Sequence, residues 1–281
     1  MKHNTYQGLS TSGFHRLHYT EWGDADNPAV LICVHGLTRC SRDFDQIASR
    51  MADRYRVICP DVVGRGESDW LPRKADYNYP QYLNDMTALI ARTGAAEVHW
   101  LGTSMGGIIG MLLAAMPGSP ITRLVLNDVG IHIPKEALAR IGQYIGNTVT
   151  FPSLEAVVEA VRFVSPFGPL TDDQWHNMTL HVIKQQPDGA WVFRYDTGIA
   201  ETFKTGAAQD VDLSPYWNAI NTANCPVLLT RGAESDLLLR PTYDTMCAKP
   251  GVQGVEFPGV GHAPMFQDDG QITSVRQFLL G

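Results

Sequence analysis

Cysteine is scarce in this chain: five residues in 281, at positions 33, 40, 59, 225 and 247, an odd number with no Cys-x-x-Cys spacing. That pattern excludes a disulfide framework and a thiolate zinc site, and reads as buried, reduced thiols in a cytoplasmic protein. Positive charge is also short. Lys plus Arg number 22 against 29 Asp plus Glu, a formal charge of −7, whereas nucleic acid and anionic membranes reward clustered positive charge. No apolar run approaches the roughly 18–20 residues that span a bilayer. The opening Met1-Lys2-His3-Asn4-Thr5-Tyr6-Gln7 has no apolar core of a secretory signal. There is no metal-ligand spacing, no Gly-x-Gly-x-x-Gly and no Gly-x-x-x-x-Gly-Lys, so neither metal nor cofactor is implied. The expected partner is a small-molecule substrate, with no nucleic acid and no membrane; oligomeric state is left open.

What the chain does have is a rhythm. Val30-Leu31-Ile32-Cys33-Val34 is a continuous apolar run, the mark of a strand buried on both faces. Arg56-Val57-Ile58-Cys59, Val98-His99-Trp100-Leu101, Leu124-Val125-Leu126 and Val227-Leu228-Leu229 read the same way, and Val255-Glu256-Phe257 reads as the last strand. Helical patterns over residues 82–93 and 105–116 lie between them, the second stopping at Pro117. Residues 6–9 and 14–21 suggest an edge hairpin. The rhythm breaks at residues 132–213, where amphipathic patterns over 135–145, 154–164 and 172–184 predict helices and 191–195 a short extended piece. The expectation is an α/β fold: a mostly parallel sheet flanked by helices, formed by residues 1–131 and 214–281, with a helical cap inserted at 132–213.

The chemistry is concentrated in four places. Leu101-Gly102-Thr103-Ser104-Met105-Gly106-Gly107 places Gly-x-Ser-x-Gly between a buried strand and a helix. A serine hydroxyl needs exposure and a neighbouring base to act as a nucleophile, and a sharp strand-to-helix turn gives the exposure. Glycines two residues before and after supply the space such a turn requires. His35-Gly36-Leu37-Thr38 follows the strand at 30–34. Backbone N–H groups of Leu37 and Met105 are candidates to hold the oxyanion of a tetrahedral intermediate, and His35 reads as a brace of that turn. His262, in Gly259-Val260-Gly261-His262-Ala263-Pro264, is the best placed of nine histidines to act as base. His176 and His181 read as ordinary surface or packing residues. Asp236, just beyond the strand at 227–229, is the expected acid that orients the imidazole. Asp128 and Glu234 are the alternatives, Asp128 reading first as a cap or brace where the chain enters the insert.

These residues resemble the α/β-hydrolase family over nearly the whole chain. The order Ser104, Asp236, His262 matches the family's nucleophile, acid and histidine. Asp61-Val62-Val63-Gly64-Arg65-Gly66-Glu67-Ser68 matches its Asp-x-x-Gly-x-Gly-x-Ser loop, and the insert matches its helical lid. The resemblance implies a serine hydrolase acting on a carboxylic ester, lactone or thioester through an acyl-enzyme. Carbon–carbon hydrolysis on the same triad, a ligand receptor with little turnover, and acyl transfer to another acceptor stay open. Serine at position 104 disfavours the dehalogenases and epoxide hydrolases, which use aspartate there. The pocket is expected between core and insert, with Ile131, Ile133, Tyr144, Phe151, Phe163, Phe167 and Trp175 as candidate lining. Thr38 and Arg39 are candidate substrate contacts. Arg39 reads first as an ion-pair partner of Asp43, and otherwise as a receiver of an acid group on the substrate. Arg65 reads as a loop brace.

Overall fold

The computed structural model describes residues 1–201 and 209–281. Eight strands form one sheet: β1 (Lys2–Ser10), β2 (Gly13–Trp22), β3 (Val30–Val34), β4 (Arg56–Pro60), β5 (Val98–Thr103), β6 (Ile121–Asn127), β11 (Val227–Gly232) and β12 (Val252–Phe257). Their spatial order is β1-β2-β4-β3-β5-β6-β11-β12. The first two pairings, β1 with β2 and β2 with β4, are antiparallel, and the other five are parallel. The chain runs outward from β3 in both directions, to β4 on one side and β5 on the other. That reversal opens a crevice beyond the C-terminal ends of β3 and β5, the usual place for a ligand in an open α/β sheet.

The apolar strands form because both faces are covered. Along β3, Val30, Ile32 and Val34 enter one core, and Leu31 and Cys33 enter the other. The first core is closed by α2 (Tyr79–Thr93) and α3 (Met105–Ala114), the second by α1 (Asp45–Met51) and the C-terminal helix α9 (Asp269–Leu280). Helix α2 starts with the Asn78 side chain accepting from Gln81 N–H at 3.0 Å and ends on Gly94 at φ 72°, both favourable terminators. Trp100 is fully buried, and its indole N–H donates to the Gly106 carbonyl at 3.0 Å. This ties the middle of the sheet to the start of α3.

Among the described residues, those between β6 and β11 add no strand to the main sheet. They form α4 (Lys135–Tyr144), α5 (Leu154–Val164) and α6 (Asp172–Leu180). The entry and exit of this segment pair as β7 (His132–Ile133) and β10 (Val211–Asp212). The helix expected over 172–184 ends early. Ile183–Gln185 (β8) pairs instead with Trp191–Phe193 (β9), across a turn containing Asp188-Gly189 with Gly189 at φ 88°. Val182 and Ile183 are β-branched, and Asp-Gly is a strong hairpin turn. The segment has its own small core of Val157, Val161, Trp175, Met178, Val182 and Ile183, which closes on Cys40 and Met265 of the main body. The short helices α7 (Ser214–Ala219) and α8 (Arg240–Cys247) complete the fold. All five cysteines are free thiols, four of them buried.

His99 on β5 carries a testable consequence. Its Nδ1 lies 2.9 Å from the Tyr55 hydroxyl. Burial, with a smaller contribution from the charge of Arg123, pushes its pKa down to about 4, against about 6.5 in an unfolded chain. As pH falls from about 6.5 to 4 the unfolded state takes up a proton that the folded state refuses, so stability is lost across that window. His99→Gln should flatten the fall in urea midpoint between pH 7 and about 4.5. An unchanged slope would show that His99 is not a source of the acid sensitivity.

Candidate active site

Ser104 sits at the turn between β5 and α3 with φ 51° and ψ −115°, a conformation that a non-glycine residue adopts only when its surroundings enforce it. They do so here. A Cβ on Gly102 would lie 2.2 Å from the Gly106 carbonyl oxygen, and one on Gly106 would lie 2.0 Å from the Val34 carbonyl oxygen. The backbone N–H of Ser104 donates to Asn127 O at 3.0 Å, and its carbonyl accepts from Gly107 and Ile108. The side chain occupies the N-cap position yet makes no cap hydrogen bond. Its Oγ instead lies 3.0 Å from Nε2 of His262. The loop beyond β12 delivers that imidazole and is held by Gly261 N–H donating to Pro166 O at 2.7 Å.

The acid beside His262 is Asp128, not Asp236. Nδ1 of His262 lies 2.7 Å from Asp128 Oδ2. Asp128 is fully buried just past β6, with φ 53° and its own N–H donating to Thr230 O at 2.8 Å. Its Oδ1 accepts from Gly232 N–H at 2.9 Å, and its Oδ2 also accepts from the Ser235 hydroxyl at 2.6 Å. Asp236 is the residue after Ser235 on the same loop and faces the other way. It is 48% exposed and forms a bidentate pair with Arg140 at 2.6 and 2.9 Å. Glu234 is exposed as well. The loop after β11 therefore supplies hydrogen-bond donors to the acid rather than the acid itself. Both acids follow strands that end on the same side of the sheet. The separating feature is the alternation at 234–236, where only the middle residue, serine, points inward.

The turn after β3 lies against Ser104: a Cβ on Gly36 would be 3.8 Å from Ser104 Cβ. His35 behaves as the expected brace. It is fully buried, its Nδ1 is 2.6 Å from Gly36 O, and its Nε2 accepts from Val62 N–H at 3.0 Å. Burial lowers its pKa, consistent with that neutral form. Arg65 is also fully buried, and no carboxylate among the described residues lies in ion-pair distance of it. Its guanidinium donates to Leu37 O at 2.8 Å, Val63 O at 2.7 Å and the Tyr82 hydroxyl at 3.1 Å, and it lies over the rings of Tyr77 and Tyr82. It reaches Met105 Sδ at 3.5 Å. Arg65 thus contacts both residues whose backbone amides were expected to face an oxyanion.

Two cavities, of about 360 and 410 Å³, meet at Ser104. Thr38 and Arg39 line the first, with Tyr144, Phe151 and Phe167; Ile133 lines the second. Arg39 makes the ion pair expected with Asp43, at 2.5 and 2.9 Å. Phe163 is 91% exposed and lines neither cavity. Trp175 is buried in the small core of the insert, stacked on Phe167, and Ile131 packs against the main core. Tyr77, Tyr79 and Tyr82 were not anticipated as lining. They come from the main body around the start of α2, and their close spacing at the start of that helix was the available signal.

Residues 31–273 match the profile of the alpha/beta hydrolase family, and the chain belongs to that family. It is a hydrolase with ester-hydrolysing relatives. A 3-hydroxybutyrate-oligomer hydrolase of Cupriavidus necator is 45% identical to it over 98% of this chain and 96% of its own length. An alpha/beta hydrolase from Novosphingobium aromaticivorans is 36% identical and superposes with a TM-score of 0.88, covering 99% of this chain and 98% of its own. An esterase of Mycobacterium tuberculosis is 25% identical over 76% of this chain and 68% of its own length.

The Ser235 hydroxyl donates to Asp128 and accepts from the N–H groups of Leu237 and Leu238 at 3.2 and 3.1 Å. Ser235→Ala removes all three bonds inside a buried loop and should destabilise the fold by about 1–3 kcal/mol. Urea unfolding of the two proteins measures it. An unchanged midpoint would mean that this loop does not depend on the hydroxyl.

Proposed function

We propose that the protein hydrolyses carboxylic esters of small hydroxy acids, oligomers of 3-hydroxybutyrate foremost, with Ser104 as nucleophile, His262 as base and Asp128 as acid. The observation that carries this reading is the unbroken hydrogen-bond chain from Ser104 Oγ through His262 to the buried Asp128 carboxylate. The 45% identity to an oligomer hydrolase along nearly the full chain supports the substrate class. Asp128 accepts from Nδ1–H and so holds the imidazole in the tautomer whose Nε2 is free to accept the serine proton. As that proton moves to Nε2, Oγ bonds to the ester carbonyl carbon and the carbonyl oxygen becomes negative. The N–H groups of Leu37 and Met105 receive that charge. Collapse of the intermediate breaks the bond to the leaving oxygen, which takes the proton from Nε2. Water, deprotonated by His262, then attacks the acyl-enzyme and releases the acid and Ser104. No step calls on a metal or cofactor. In this reading the described part of residues 132–213 is the lid of a site for a small molecule, and Thr38 lies within reach of the substrate while Arg39 holds the turn through Asp43.

On a neutral p-nitrophenyl ester, Ser104→Ala should lower kcat by about 10⁴–10⁶. Asp128→Asn should lower it by about 10⁴, through the wrong tautomer. Asp236→Asn should stay within about threefold of the native enzyme, as expected for an exposed ion pair. A larger loss from Asp236→Asn than from Asp128→Asn would refute the assignment of the acid.

A further inference from the structure

The two cavities at Ser104 differ in charge. None of the described residues lining the larger one is charged; its walls are residues such as Met105, Ile108, Leu112 and Tyr79. The smaller one contains His262 and three charged side chains, Arg39, Asp43 and Arg140. The proposed chemistry assigns a role to each. The proton leaves His262 for the departing oxygen, so the departing alcohol lies on the His262 side and the acyl group on the other. In a linear oligomer of a hydroxy acid, the departing part carries the free carboxylate and the acyl part carries the free hydroxyl end. The anionic end therefore enters the cavity that holds the arginines.

The two arginines are not equally available. Arg39 has a side chain only 13% exposed. It is bonded to both oxygens of Asp43 and to Met178 O at 3.2 Å, and its guanidinium lies over the Phe167 ring. Arg140 stands on α4 at the cavity wall, 34% exposed, and Asp236 engages its Nε and Nη2. Tyr144, one turn further along α4, lines the same cavity. Asp236 takes the Nε–Nη2 edge, and a guanidinium has five donors in a planar fork, so the group has donors beyond those two bonds with which to meet a second carboxylate.

We propose that Arg140 receives the carboxylate of the departing hydroxy acid, so that the site reads the direction of an oligoester chain. This rests on the ester-hydrolase reading above. The test compares the free-acid trimer of 3-hydroxybutyrate with its methyl ester. Arg140→Ala should lower the ratio of kcat/KM for the free acid to that for the methyl ester by about 10- to 100-fold, chiefly through KM, as loss of a charge-assisted hydrogen bond does. Arg140→Lys should restore part of the ratio. Asp236→Asn, which releases the guanidinium, should raise it severalfold. An equal change for both substrates in Arg140→Ala, or no change, overturns the proposal. If the native protein cleaves neither trimer, the oligoester reading fails on its own terms. Calorimetric binding of the same two trimers to Ser104→Ala, with and without Arg140→Ala, then still decides whether Arg140 selects the free acid.

Discussion

A buried carboxylate must be given hydrogen-bond donors, and the way Asp128 obtains them organises this molecule. Nδ1 of His262 lies 2.7 Å from one of its oxygens. The charge is also compensated by the Gly232 N–H and the Ser235 hydroxyl. These groups come from the ends of β6, β11 and β12, three adjacent parallel strands. Hydrogen bonds to a charged acceptor are shorter and stronger than neutral ones, and all of these converge on a fully buried carboxylate. The carboxylate thus joins three loops, and their convergence sets the imidazole against Ser104. The strained serine turn is secured separately, by the two close glycines and by the backbone bond to Asn127.

On the opposite side of Ser104 the organising charge is positive. Arg65 is buried between two tyrosine rings and bonded to backbone carbonyls, with contacts to both Leu37 and Met105. The neighbouring Asp61 belongs to the same scaffold. Burial alone would raise its pKa, yet hydrogen bonds from His18 and from the N–H groups of Glu67 and Ser41 hold it below the usual carboxylate range. The segment between β6 and β11 docks onto this scaffold where Asp196 accepts from the Tyr77 hydroxyl at 2.6 Å and pairs with Lys74. The walls of the cavities thus come from both parts of the chain.

Much of this was legible in the sequence. The central strands announced themselves as mainly apolar runs, unbroken in β3 and interrupted only by His99 within the run at β5, because a parallel sheet covered by helices leaves little polar face. The Ser104 turn was legible because a side chain at either flanking glycine would collide with backbone, a Cβ at Gly102 or Gly106 falling about 2 Å from a carbonyl oxygen. The histidine followed from its place on a glycine-rich loop after the last strand. Which carboxylate lies beside His262 was not legible. Asp128 and Asp236 both follow strands at the same end of the sheet, and sequence order fits either. What separates them is side-chain direction within a loop, a property of tertiary contacts with no periodic signature. Of the small hairpin, the extended piece expected at 191–195 contains β9, but its partner β8 was read as the end of a helix, because a three-residue strand is too short to show alternation.

The central claim is that Asp128 fixes the tautomer and orientation of His262. Proton NMR of the histidine-labelled protein tests it most directly. A strongly downfield Nδ1–H resonance of His262 should be present in the native protein, persist in Asp236→Asn and vanish in Asp128→Asn. A resonance that survives in Asp128→Asn and is lost in Asp236→Asn would contradict the account.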